Sequence, residues 1–200
     1  MEIAKIIALS ELLGEMGHIK RATRLPNGEA ESDSHHSFSL ALIAYHIVVT
    51  RCPELDAPKV LLFALAHDLL EILTGDDDTL HLTQQQLVAK HQREKQAAIE
   101  FKTIFADYPE LQQALYDYEK LDTAEAATVF VLDKACTTWT HHADNGKHAR
   151  EQRNLTSEKD IMKWADRQRE KIHNRLHAQP PQAIFDLFED SCAALQNLYQ

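Results

Sequence analysis

Val60-Leu-Leu-Phe-Ala-Leu-Ala-His67-Asp68-Leu-Leu-Glu71-Ile-Leu-Thr-Gly75-Asp76 is the stretch that decides how this chain is read. Seven apolar residues run without a break into His67-Asp68, and apolar residues resume around Glu71. A helix that is apolar all round belongs in a core. Burying an imidazole beside a carboxylate there is costly unless each is paired or bound to a metal. On a helix from about Pro58 to Thr74, Glu71 follows His67 by four residues and Asp68 by three, so it shares their face. His67 and Asp68 themselves diverge by roughly 100°, and both reach one ion only if it lies between them. Imidazole and carboxylate suit Zn, Mn, Fe or Co. Alternatively, a core histidine bonded to its neighbour needs no ion.

Composition narrows the classes. Two hundred residues fit one domain, long enough to bury roughly 70 % of the unfolded chain's surface. Apolar content of 44 % and charged content of 26 % are those of an ordinary soluble globule. Five Gly and six Pro leave little room for turn-rich β architecture. A net charge of −10 argues against polymeric nucleic acid or an anionic membrane as partner. A small anionic substrate stays open, because a bound cation outweighs the global balance locally. Cys52, Cys136 and Cys192 are odd in number and form no CxxC pair, which disfavours a disulfide framework or a zinc knuckle. Met1-Glu2-Ile3-Ala4-Lys5 lacks a signal peptide's basic stretch, and no apolar run approaches the ~20 residues of a membrane span. The expectation is a reduced, soluble, cytoplasmic protein.

Every periodic segment reads as helix, so the expected fold is all-α. A short amphipathic helix covers Ile3 to Leu13, and Glu15 to Glu31 reads as irregular with a Pro26-Asn27-Gly28 turn. Ser34 is the expected N-cap of a helix from His35 to Arg51, whose Phe38, Leu42, Tyr45 and Val49 are spaced for one face. After the central helix come a break at Thr74-Gly75 and an acidic loop, Asp76-Asp77-Asp78. Thr83 caps a long polar helix to about Ala106, and Glu110–Lys120 and Thr123–His142 are two more. The second of these carries the apolar run Ala126–Leu132, ending at Asp133-Lys134. His142 to Thr156 reads as a loop, with His141, His142 and His148 as solvated histidines. Ser157 caps a charged helix to about His177, and a last helix follows Pro180-Pro181.

A single ion needs ligands from more than one element. His35-His36 and Asp133 are the other candidates, though an exposed histidine pair and an Asp133–Lys134 salt bridge are the plainer readings of each. Taken in order, His36, His67-Asp68 and Asp133 resemble the HD-domain metal-dependent phosphohydrolase superfamily. Glu31-Ser32-x-Ser34-x-His36, His67-Asp68-x-x-Glu71-x-x-x-Gly75-Asp76 and Val131-Leu132-Asp133-Lys134 look like the branch of the HD-domain 5′-deoxynucleotidases and their HD-domain-containing relatives. So do the basic segment Ile19-Lys20-Arg21-Ala22-Thr23-Arg24, Pro109-Glu110-Leu111 and Leu115–Glu119. The likeness covers about residues 10–145. Two places depart from it: Arg21-Ala22 stands where the bacterial nucleotidases carry Arg-Trp, and Asp77-Asp78-Thr79-Leu80 where they commonly carry Leu-Pro-Thr-Pro.

The resemblance implies an HD-type helical bundle forming one domain over residues 1–200, with the helices of 157–200 packed on its core. It implies His36, His67, Asp68 and Asp133 as ligands of one divalent ion, with Mn, Co, Mg, Zn, Fe and Ni undistinguished. Two His and two Asp leave two octahedral positions for water or a phosphate oxygen. Glu71 is the expected acid or base, as it shares the ligand face, and Asp76 assists it. Arg21 and Lys20 are the expected phosphate contacts, Arg for its planar fork, with Arg24 and Lys134 behind them. The implied activity is phosphate release from nucleoside 5′-monophosphates, deoxyribonucleotides among them. Alternatives are triphosphohydrolysis of deoxynucleoside triphosphates, a di-iron oxygenase and a non-catalytic nucleotide-binding module. A small nucleotide is the expected partner, and relatives often pair as homodimers.

Overall fold

The computed structural model describes residues 2–77 and 83–200. The apolar run Ala126–Leu132 lies in α7 (Ala124–Ala143), where Ala126, Ala127, Val129, Val131 and Leu132 are all buried. Thr123 caps that helix by accepting from the Ala126 N–H. With apolar side chains on every side, α7 is wrapped by α2 (Asp33–Arg51), α3 (Ala57–Ala66), α6 (Pro109–Glu119), α8 (Lys147–Arg153), α9 (Glu158–Arg175) and α10 (Gln182–Asn197). A second, smaller core joins α1 (Glu2–Glu15), the turn after α3, α5 (Gln84–Ile104) and α6 through Met16, Leu69, Phe101, Phe105 and Leu115. Among the described residues the fold is all-α apart from one small hairpin.

Six expectations change. The basic segment is not irregular: β1 (Lys20–Arg24) and β2 (Ala30–Ser32) pair antiparallel across the Pro26-Asn27-Gly28 turn. Gly28 takes φ +90°, which only glycine adopts cheaply. The strands are too short for period-two patterning to stand out, and one is mostly charged.

The central helix is not continuous. It stops at Ala66; the Leu69 N–H then donates to Ala66 O and the Glu71 N–H to Asp68 O, three residues back rather than four. The four-residue helix α4 (Glu71–Thr74) follows. This tightening turns successive side chains by about 120° instead of 100°. In α2 the cap is Ser32, whose Oγ accepts from the His35 N–H, and Ser34 instead bonds Ser32. The α2 stripe Phe38, Leu42, Tyr45 and Val49 is exposed, while Leu40, Ala41, Ala44 and Val48 face the core. Small Ala41 and Ala44 admit α3 closely, which outweighs the larger side chains on the far side.

Residues 147–153 form α8, not a loop, and His141 and His148 are buried; only His142 is exposed. Of the acidic loop, Asp76 and Asp77 are seen, and Asp78, like the Thr79-Leu80 departure, lies outside the described residues. Among the described residues no helix is long and apolar enough to cross a membrane.

Candidate metal centre and its cleft

Three elements deliver the four candidate ligands. The first turn of α2 brings His36, the turn after α3 brings His67 and Asp68, and the middle of α7 brings Asp133. One donor atom each from His36, His67 and Asp133 lies within 4.8 Å of the others. His36 Nε2 is 2.9 Å from Asp133 Oδ1 and 3.9 Å from Asp68 Oδ2. His67 Nε2 is 3.0 Å from Asp68 Oδ2 and 3.9 Å from Asp133 Oδ1. Tyr118 packs edge-on against His67, ring centroids 5.8 Å apart.

The donor set fits a divalent cation. His67 Nδ1 lies 2.9 Å from Ala64 O, which only accepts, so Nδ1 carries the hydrogen. In the neutral ring, Nε2 is then a lone pair aimed among carboxylates, and this buried nitrogen has no hydrogen bond despite its closeness to Asp68. A lone pair beside carboxylates needs a cation or a proton between them. Electrostatics agree. Burial disfavours the His67 imidazolium, but Asp68 and Asp133 reverse that and raise its proton affinity. Burial would likewise raise both carboxyls. His67 and Arg21 hold Asp68, and Lys134 and His36 hold Asp133, below the ordinary carboxylate range.

Arg21 enters from β1. Its Nη1 donates to Asp68 Oδ2 at 3.0 Å and to Asp33 Oδ1 at 3.4 Å, and its Nε sits 3.7 Å from Glu31 Oε2. Burial opposes its charge, but the surrounding carboxylates raise its pKa and keep it cationic. Lys20 is not brought to the site: its neighbouring strand position points to the other face, where the exposed ammonium donates to Gly17 O. Arg24 is engaged with Gln152. Lys134 bonds Asp133 Oδ2 and lies over the Phe130 ring.

A second carboxylate group adjoins the first. Asp33, Glu71 and Asp76 each place an oxygen within 4.8 Å of the others. Asp33 and Glu71 each bury one oxygen that no N–H or O–H reaches, and the two carboxyls interact directly. A proton shared between them relieves that contact. Burial, with Asp68, Asp76 and Asp33 around it, pushes Glu71 up to about 11 and makes it the proton's holder. Burial lifts Asp33 to about 6 and raises Asp76 as well. Sequence reasoning missed Asp33, fully buried, and used Glu31 only as a spacing mark. An Asp just after a Ser cap reads as a helix-dipole residue, which hid its contact with Arg21.

Both groups open into a cleft of about 650 Å³ that Tyr118, Phe130 and Trp164 also line. A smaller hollow of about 220 Å³ between α9 and α10 holds none of the candidate residues.

Comparison with known proteins accords with this architecture. The HD domain family matches residues 13–176, and the chain belongs to that family. The bovine (Bos taurus) protein named 5′-deoxynucleotidase HDDC2 is 26 % identical over 138 residues, 67 % of this chain and 62 % of that protein. The match thus spans under two thirds of the bovine relative's length. Two solved structures share the fold. One is a predicted metal-dependent phosphohydrolase from Magnetospirillum magnetotacticum, with TM-score 0.71 and 20 % identity, covering 98 % of this chain and 94 % of that one. The other is the PH0347 protein from Pyrococcus horikoshii, with TM-score 0.61 and 24 % identity, covering 98 % and 99 %.

Proposed function

We propose that this protein is a metal-dependent phosphohydrolase releasing inorganic phosphate from nucleoside 5′-monophosphates, deoxyribonucleotides among them. The observation that carries the reading is the meeting of His36, His67, Asp68 and Asp133 beside a half-buried Arg21. The bovine relative's name points to the same chemistry. In this reading those four side chains hold one divalent ion. When bound, such an ion lowers the pKa of a water and polarises the phosphoryl oxygens.

The chain's own groups do the rest. Arg21 offers a planar fork to the peripheral phosphate oxygens, where charge spreads in phosphoryl transfer. Lys134 adds a second cation beside Asp133. Glu71, protonated against Asp33, holds the proton that the leaving oxygen needs, and Asp76 tunes it by its charge. Tyr118 closes the apolar side of His67 and keeps bulk water from that ring.

One assay tests this. Nucleoside mono-, di- and triphosphates are incubated with protein loaded with Mn, Co, Mg, Zn, Ni or Fe, and inorganic phosphate is measured. Phosphate from the monophosphates supports the reading. No phosphate with any ion removes it, and tripolyphosphate as the product replaces it with triphosphohydrolysis.

A further inference from the structure

Six large apolar side chains on the outer faces of α2 and α3 stand in water. Phe38, Leu42, Tyr45 and Val49 on α2, with Leu62 and Leu65 on α3, are each between 42 % and 60 % exposed. The four on α2 are spaced i, i+4, i+7, i+11, which at 100° per residue confines them to a stripe about 60° wide. One residue behind the stripe runs a row of short side chains, Ser37, Ala41, Ala44 and Val48, all buried. His36, on the far flank, turns to Asp133 of α7, so the short row is the one that receives α3. On α3, Phe63 turns to Tyr118 of α6. The flank that carries half-buried Leu61 therefore faces α2, and Leu62 and Leu65 stand just outside it. The two sets make one continuous apolar face.

That face carries no charge. Between Asp33 and Arg51, α2 holds no Asp, Glu, Lys or Arg, although such residues make up 26 % of the chain. Lys59 is the sole charged residue of α3, and it lies on the other flank, over the Phe63 ring and beside Glu125. A helix face that met only water would be polar. At about 200 Å² for a fully exposed large side chain, the six leave on the order of 600 Å² of apolar area in water. The largest patch on a monomer is typically about 300–600 Å². A stable homodimer takes about 800 Å² from each copy, about 65 % of it apolar, or roughly 500 Å². The face is large enough.

We propose that this face is the interface between two copies of the chain, paired about a two-fold axis that passes between Leu42 and Tyr45. The stripe has the spacing of a two-helix seam, in which each side chain enters a gap between four on the facing helix. In a two-fold pair the same patch meets itself. Helix α2 then lies antiparallel on α2, with Phe38 of each copy beside Val49 of the other, and Leu62 and Leu65 close the edges. A chain of net charge −10 repels its own copy, and an uncharged face is where two copies meet with least like charge opposed. A charged partner protein would be met by complementary charges, which the face lacks. An anionic bilayer would call for Lys or Arg beside the stripe, where His35, His46 and Thr50 stand instead. None of the six residues lines the cleft, so pairing leaves it open in both copies.

Sedimentation equilibrium of the wild type across the micromolar range should give twice the chain's mass, and its melting temperature should rise with protein concentration. L42E/Y45E sets like charges against their copies at the axis. It should raise the dissociation constant at least about a hundredfold and leave a monomer whose melting temperature ignores concentration. Both positions are exposed in the single chain, so helical circular dichroism should be unchanged. L42K/Y45K should be monomeric too. An equal mixture of the two variants should recover a dimer of mixed composition by native mass spectrometry, which misfolded protein would not do. I6E/I7E, on the exposed apolar side of α1, should leave the dimer intact. A wild type that stays monomeric overturns the proposal, whether or not it binds lipid vesicles or another protein. So does a mixture of the two charge variants that stays monomeric. A dimer that survives L42E/Y45E, or one that I6E/I7E splits, overturns it as well, since another surface then holds the copies together.

Discussion

His67 Nδ1 donates to the carbonyl oxygen of Ala64, one turn back in α3, at 2.9 Å. The carbonyl is available because α3 tightens after Ala66 and its last acceptors lose their partners four residues on. The bond fixes the ring's tautomer and aim, the role that outer hydrogen bonds play for metal-binding histidines. His36→Ala or Asp68→Ala should therefore leave purified protein without bound ion, by elemental analysis. An affinity loss beyond about a hundredfold is expected, since disturbing even an outer partner of a ligand costs 10–100-fold. Full occupancy in either variant would dissolve the proposed centre.

Glu71 separates metal binding from turnover. It belongs with Asp33 and Asp76 rather than with His36, His67 and Asp133. Glu71→Gln keeps the shape of the protonated acid and removes its acidic proton. Bound metal should stay at wild-type level while kcat for phosphate release falls by about 10²–10⁴-fold, the usual span for an acid–base group. Loss of metal along with activity would make Glu71 a ligand instead.

Much of this was legible in the sequence. The apolar run into His67-Asp68 and the second run into Asp133 announce buried charge, and buried charge announces partners. What failed has physical causes. Phe38, Leu42, Tyr45 and Val49 carry the strongest periodic signal in α2, yet the helix packs through Leu40, Ala41, Ala44 and Val48. Periodicity finds a face without saying which side is covered. Lys20 and Arg21 are adjacent cations, and only the strand pleat decides that Arg21 faces Asp68. Asp33 was hidden because its plainest sequence reading, a charge at a helix start, is also true.

Arg21 should matter to stability as well as to substrate. Its guanidinium reaches both Asp33 and Asp68, with Glu31 also within 4 Å. Removing one partner of a fully buried pair typically costs about 3–5 kcal/mol, and less is expected at the half-buried Arg21. Arg21→Ala should lower the unfolding free energy from urea titration by about 2–3 kcal/mol and raise KM for monophosphates more than it lowers metal content. Arg21→Lys should recover part of the stability and less of the KM, for it keeps the charge without the fork. Lys20→Ala should stay within about 0.5 kcal/mol of wild type and leave KM unchanged, as expected of an exposed side chain away from the site. Equal effects at both positions would contradict the assignment.

His141 should set part of the acid limit. It is 2 % exposed at the end of α7, and neither ring nitrogen is hydrogen-bonded. Burial lowers its pKa from 6.5 to about 4; Arg153 and His148 push the same way, and Asp144 opposes them. A base whose folded pKa is depressed binds its proton more readily when unfolded, so stability is complete above about pH 6.5 and drains away as pH falls toward 4. At 1.36 kcal/mol per unit the full loss is about 3 kcal/mol. His141→Leu removes the titrating group and two unpartnered nitrogens at similar volume. Urea midpoints at pH 7 and pH 4.5 should then diverge clearly in the wild type and much less in the variant. The comparison between the two proteins cancels the opposite slopes of Asp33 and Glu71, which titrate in both. An equal acid loss in the two would mean that the His141 ring accepts its proton inside the fold.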